Sequence, residues 1–324
     1  MRALLCTKFG PPDLLEVHDL PSPAAGPGEV VITVKAASVN FPDFLIIQNK
    51  YQFKPEPPFS PGSELTGVVK EVGPGVIDLA PGDRVLAFTT YGAFREEVKT
   101  ERGRIIPLPP GMDFDTGAAF LLTYGTMDHG LRDRGALQAG ETVLVLGASG
   151  GIGIASIEIA KALGARVIAC ASDPGKLDAC RQHGADETID YSSENLRERI
   201  KALTKDRGVD VVVDPVGGAY TELALRSCAW RGRLLVVGFA AGEIPKIPLN
   251  LTLLKGCSIV GVFWGDFLRR EPEAFAASVS QLGKWYAAGK LKPHITATYP
   301  LDRAAEAIAL MGARKVIGKV VVTM

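Results

Sequence analysis

The chain has 324 residues and balances 36 basic against 36 acidic side chains. The length allows two domains of ordinary size, and the balance gives no electrostatic case for nucleic acid or an anionic membrane as partner. Five scattered cysteines (Cys6, Cys170, Cys180, Cys228, Cys257) form no C-x-x-C pair, which argues against a disulfide framework and against a zinc ribbon.

The opening Met-Arg-Ala-Leu-Leu-Cys-Thr-Lys is too short an apolar run for a secretion signal. No uncharged apolar run approaches the roughly 20 residues that a bilayer span needs. The expectation is a soluble cytoplasmic protein. Residues 1–117 are rich in Pro, Gly and Val, with short alternating runs such as Val30-Val-Ile-Thr-Val-Lys-Ala36 and Leu65-Thr-Gly-Val-Val-Lys-Glu-Val72. Pro-Gly pairs at 27–28, 61–62, 74–75 and 81–82 close them. Short strands punctuated by turn dipeptides predict a compact β-rich domain.

After about residue 117 the pattern changes. Strands are predicted at 142–147, 166–171, 186–189, 209–214, 232–237 and 257–261, with helices at 151–164, 174–183, 193–206 and 218–228. Six strands separated by helices specify a mostly parallel, doubly wound α/β sheet. A further helix is predicted over 272–289, with Phe275, Val279, Leu282 and Tyr286 on one face. The tail reads as a helix and then a strand that rejoins the first domain.

The densest signal is Thr142-Val-Leu-Val-Leu-Gly-Ala-Ser-Gly-Gly-Ile-Gly153: a buried strand, a glycine-rich turn and a helix start. Such a turn sets backbone N–H groups and a helix N-terminus against a pyrophosphate. Ser149, Gly150, Gly151, Ile152 and Gly153 are therefore candidate cofactor contacts, although Ala148 replaces the first glycine of the usual G-x-G-x-x-G pattern. The other reading of such a turn is a ligand-free connection.

At the end of the second strand, where NAD enzymes place an acid on the ribose diol, stand Ala171 and Ser172. Asp173 reads as the cap of a helix starting at Pro174. Ser172 offers a hydrogen bond, Lys176 a positive charge and Tyr191 a hydroxyl to a 2′-phosphate, so NADPH is favoured over NADH. The plain alternatives are a solvated lysine and a tyrosine covering apolar surface.

Asn40-Phe-Pro-Asp43, Pro61-Gly-Ser-Glu64, Gly67-Val-Val, Gly82-Asp-Arg-Val85 and Gly318-Lys-Val-Val, taken in order with the glycine turn, resemble the medium-chain dehydrogenase/reductase superfamily. Within it the chain most resembles the zinc-free quinone oxidoreductase, or zeta-crystallin-like, branch. The resemblance implies an α/β protein with a GroES-like β-rich substrate domain, residues 1–120 completed by 267–324, and an inserted Rossmann domain, residues 121–266. It implies a homodimer paired through the Rossmann sheet edge, and an active site in a cleft at the carboxyl ends of the parallel strands.

Zinc members carry a cysteine ligand where this chain has Asn40 and a histidine where it has Ser63. Neither replacement is a usual zinc ligand, and residues 86–115 lack the cysteines of a structural zinc lobe. Glu64 then reads as structural. Without a Lewis acid, hydride delivery to quinones or α,β-unsaturated carbonyls is favoured over alcohol oxidation.

By position in the family, Asn40 and Tyr51 are the catalytic candidates, each a polar group beside the nicotinamide. Thr126, Gly238, Phe239, Ala240, Phe263 and Trp264 would approach the nicotinamide end, and Arg314 the phosphates. The alternative for Tyr51 is surface packing, and for Phe263 and Trp264 an ordinary core role. Asp43 reads as a helix cap, and Lys315 and Lys319 as surface charges. Two other functions stay open. One is an enoyl- or acrylyl-CoA reductase, with Lys50 and Lys54 meeting the CoA phosphate. The other is a non-catalytic NADPH-binding structural or RNA-associated protein, against which the lack of a basic stripe speaks.

Overall fold

The computed structural model describes residues 1–324. The chain divides into two units, Met1–Leu122 with Ile295–Met324, and Thr123–His294. No helix is long and apolar enough to cross a membrane.

The first unit is β-rich. Its seven-stranded sheet runs in the order Ile295–Pro300, Lys319–Thr323, Glu29–Val39, Glu64–Val72, Arg84–Phe88, Ile105–Pro107, and Glu97–Glu101 adds to Glu29–Val39. The tail strand Lys319–Thr323 pairs antiparallel with residues 36–39, so the C-terminus completes the N-terminal domain. The central strand Glu29–Val39 supplies Val30, Ile32, Val34, Ala37 and Val39 to the core. β-branched residues dominate it, as suits a strand packed on its neighbours.

The second unit is a six-stranded, wholly parallel sheet. Its order is Glu187–Asp190, Arg166–Ala171, Thr142–Val145, Val209–Asp214, Cys228–Val236, Ser258–Gly261. The six strands fall where the sequence pattern put them, with ends moved by a few residues. The strand order reverses between Thr142–Val145 and Val209–Asp214, the switch point at which such sheets bind ligands.

The first helices of this unit are less visible in the sequence. The helix Leu121–Asp128 and the first half of the π-helical turn His129–Arg134 are buried on nearly every side, so they lack amphipathic contrast. The return to the first unit comes at Ile295 rather than at 267. Residues 267–294 stay with the parallel sheet for physical reasons. Phe267 stacks on His129 with centroids 4.0 Å apart, Ser278 Oγ donates to Asp128, and Leu282 is fully buried.

Candidate active site

The glycine turn sits at the switch point. The helix Gly151–Ala162 starts after Gly150, whose lack of a side chain leaves the first turn uncapped. Ile154 N–H is bonded to Gly150 O at 2.8 Å, so the N–H groups of Gly151, Ile152 and Gly153 precede the intrahelical ladder. A Cβ on Gly153 would stand 2.3 Å from the carbonyl oxygen of Ala148. The helix can therefore fold back this closely on the turn that precedes it only with glycine there. A glycine-lined helix start with unspent donors fits a dinucleotide pyrophosphate.

At the end of the next strand, Asp173 Oδ1 accepts from Lys176 N–H at 2.9 Å, capping the helix Pro174–Gln182. Lys176 Nζ lies 3.2 Å from Ser172 Oγ and 3.2 Å from Asp173 Oδ2. The cap bond, followed by the Lys176 side chain, holds the Asp173 carboxyl below its usual range. Tyr191 is half-buried with its ring 4.5 Å from that of Tyr220, and Ser192 Oγ donates to Ser172 O at 3.1 Å. Ser172, Lys176 and Tyr191 are thus gathered at one end of two adjacent strands.

In the first unit a buried polar knot surrounds Asn40. Lys319 Nζ donates to Asn40 Oδ1 and, at 2.8 Å, to Glu64 Oε1. Asn40 Nδ2 donates to the same Glu64 oxygen at 3.1 Å, and Ser38 Oγ donates to it as well. Leu122 N–H takes the other Glu64 oxygen at 2.9 Å. Lys319 is 2% exposed and Glu64 1%. The expectation that Lys319 is a surface charge is therefore wrong: strand Lys319–Thr323 runs beside Glu29–Val39 and carries the ammonium onto Glu64. Lys315 is exposed.

Asp43 opens the helix Phe41–Ile46 and accepts from Asn40 N–H at 2.7 Å and from Gly62 N–H at 3.1 Å. Burial pushes its carboxyl up to about 7, opposed by those N–H donors and by Lys319. Tyr51 packs against the same core, 6.3 Å from Phe53, and burial followed by the Asp43 charge raises its phenol. Ser63 is 6% exposed, and its hydroxyl has no hydrogen-bond partner. Nothing in the sequence distinguishes that hydroxyl; only the packing shows it unsatisfied.

The other candidates are placed as follows. Thr126 is buried on the helix Leu121–Asp128. Gly238 N–H is bonded to Asp214 O at 3.3 Å and Ala240 N–H to Pro215 O at 3.0 Å, so both donors are engaged by the end of the neighbouring strand Val209–Asp214. Phe239 and Phe263 are exposed. Trp264 is buried, with its indole against Gly125 and 6.1 Å from the Phe275 ring. Arg314 is exposed just past the helix Ala304–Gly312, in left-handed backbone at φ 57°. Asn40, Tyr51 and Arg314 belong to the first unit and the remaining candidates to the second.

Two family models match the chain: an alcohol dehydrogenase GroES-like domain over residues 26–110 and a zinc-binding dehydrogenase over 151–282. A quinone oxidoreductase-like protein 2 homolog of Nematostella vectensis is 40% identical over 99% of this chain and 88% of its own length. The chain belongs to the quinone oxidoreductase branch of the medium-chain dehydrogenase/reductase superfamily. The solved quinone oxidoreductase of Pseudomonas syringae pv. tomato matches with TM-score 0.93 and 31% identity, over 100% of this chain and 99% of that one. The Escherichia coli quinone oxidoreductase complexed with NADPH matches with TM-score 0.94 and 27% identity over 100% of both chains.

The second model's description speaks of zinc, and the residues here do not fit it. Amide and hydroxyl side chains stand at Asn40 and Ser63, and Glu64 is committed to Lys319, Asn40 and Ser38. No three His, Cys, Asp or Glu side chains are grouped to hold an ion.

Proposed function

We propose that this protein is an NADPH-dependent oxidoreductase that passes hydride to a quinone or an α,β-unsaturated carbonyl without using a metal. The observation that carries the reading is the closed charge balance around Asn40. Glu64 is answered by Lys319 inside the protein, so the place that zinc relatives use for an ion already holds its own cation. An acceptor that delocalises incoming charge onto its own oxygen needs only orientation and hydrogen-bond donors.

NADPH, when bound, supplies the hydride. The N–H groups of Gly151, Ile152 and Gly153 would hold its pyrophosphate, with Ser149 and Gly150 shaping the turn. Ser172 and Lys176 would meet the 2′-phosphate, flanked by Tyr191. Asp173 is spent on its helix cap, which leaves no acid for a ribose diol and favours the phosphorylated cofactor. The loop residues Gly238, Phe239 and Ala240, with Thr126 and Phe263, would border the nicotinamide, and Arg314 would add positive charge for the phosphates.

Asn40 is held at both ends of its amide, which makes it an orienting wall more than a free donor. Ser63 has the unspent hydroxyl, and we assign it the hydrogen bond to the acceptor oxygen. Tyr51, its phenol raised, stays protonated at neutral pH and serves as the second donor. Ser63→Ala should cut quinone turnover about tenfold, the loss of one such bond of about 1.4 kcal/mol, with NADPH affinity unchanged. Unchanged turnover would remove Ser63 from the site.

The thioester alternative has less support, because the Lys50 ammonium rests 2.9 Å from Gln48 Oε1 in its own loop. A panel of 9,10-phenanthrenequinone, a simple enone and acrylyl-CoA separates these readings. A strong preference for the thioester would replace the quinone reading, and NADPH binding with no oxidation by any acceptor would favour a non-catalytic protein.

A homodimer is also inferred. Strand Ser258–Gly261 ends the parallel sheet with one side unpaired, beside the exposed Trp230, Leu253 and Leu254. An open apolar strand edge is an assembly surface unless protected. A second copy would cover it, and sedimentation as a monomer at micromolar concentration would refute this. All five cysteines are free, in keeping with the cytoplasmic setting proposed here.

A further inference from the structure

Arg95 is the one arginine of this chain that is neither exposed nor paired. The other half-buried arginines, at 102, 132, 166, 199, 226 and 233, each hold a carboxylate. Arg95 holds none and lies over no aromatic ring. Its Nε is fully buried and has no hydrogen-bond partner. The two acids that follow it are committed elsewhere, Glu96 to Arg2 at 2.9 Å and Glu97 to Lys70 at 2.6 Å.

The surrounding loop accommodates this guanidinium. Gly92 adopts φ +102°, and a Cβ there would stand 3.4 Å from Arg95 Nη2 and 3.6 Å from Cζ. Those are ordinary contact distances, so the guanidinium lies against this turn, and it is the left-handed backbone rather than space that calls for glycine there. Burial lowers the Arg95 pKa, with only the nearby Tyr91 hydroxyl opposing it, so the cation is short of negative charge. Next to it runs a row of rings. Tyr91 meets Phe59 edge-on at 5.9 Å, and Phe59 meets Phe9 at 6.2 Å. Tyr91 and Phe9 are partly exposed at the two ends of that row.

A half-buried charge without a partner is costly, and a buried polar atom left unsatisfied in a folded protein calls for a ligand or a functional cause. A guanidinium fork matches a carboxylate with two parallel bonds. Exposed aromatic edges favour a flat apolar body. We propose that Arg95 and Tyr91 form a recognition site for a carboxylate carried on a flat aromatic ring. This site lies wholly in the β-rich unit and does not depend on the hydride-transfer reading.

The test is calorimetric titration of benzoate and of inorganic phosphate into the intact wild-type protein, Arg95→Gln and Arg95→Lys at constant ionic strength. One benzoate per chain should bind wild type at least about tenfold tighter than phosphate, and Arg95→Gln should lose at least about tenfold. Arg95→Lys should fall between them, since an ammonium keeps the charge but not the fork. Without ligand, Arg95→Gln should unfold at the same temperature as wild type or higher, because it removes an uncompensated charge. The proposal is overturned by equal benzoate binding in wild type and Arg95→Gln, or by phosphate binding as tightly as benzoate. It is equally overturned by no benzoate binding at millimolar concentration, or by a lower unfolding temperature of ligand-free Arg95→Gln.

Discussion

The glycine turn of the parallel-sheet unit and the polar knot of the β-rich unit prepare their groups in opposite ways. The turn is contiguous, uses backbone N–H groups and carries no side-chain charge in its first helical turn. The knot joins residues 279 positions apart, is made of side chains and buries an ammonium beside a carboxylate. A backbone cradle tolerates its neighbours changing so long as no Cβ enters it. A buried ion pair fails as a whole when one member goes. The first is a matter of space, the second of charge.

The largest expected effect tests the second half of that contrast. Lys319→Met leaves Glu64 buried without its cation and should cost about 3–5 kcal/mol of stability in urea unfolding. Adding Glu64→Gln to it should recover much of that loss. A single variant as stable as wild type would mean that the pair contributes no charge balance.

Asp43 gives the knot a pH signature. Its folded pKa of about 7 lies above the unfolded value, so the native state binds the extra proton. Its contribution to stability is fully present below about pH 4 and is lost as pH rises through 7, at most ~4 kcal/mol in all. Asp43→Asn should flatten that decline between pH 4 and 7. Parallel pH–stability curves for the two proteins would refute it.

Space governs the turn. Gly153→Ala forces a carbon to within 2.3 Å of the Ala148 oxygen and should cost roughly 1–3 kcal/mol in strain together with NADPH affinity. NADPH fluorescence titration checks it, and unaltered affinity would show that the turn is not the cradle. Lys176→Ala should weaken NADPH by roughly 1–3 kcal/mol while leaving NADH almost unchanged. Its partner Asp173 offsets part of the charge, which places the effect toward the low end. Equal losses for both cofactors would sink the 2′-phosphate assignment.

What could be read from the sequence follows the same divide. The six parallel strands, the turn and the Asp173 cap rest on neighbours within a few residues, where apolar periodicity and capping rules apply. Lys319 looked like a solvated lysine because its partner lies in a strand from the other end of the chain. Ser63 and Arg95 carry no such signal in the sequence for a related reason: being unsatisfied is a property of packing, which no local pattern records. Residues 267–294 group with the parallel sheet through His129 and Asp128, anchors that lie in a buried helical stretch without periodic contrast.

The central claim is metal-independent hydride transfer from NADPH. Its most direct test is steady-state NADPH oxidation by chelator-treated protein with 9,10-phenanthrenequinone, with NADH in parallel. The account predicts turnover that survives chelation and prefers NADPH. Turnover abolished by chelation and restored by zinc, or no oxidation of a cofactor that still binds, would contradict it.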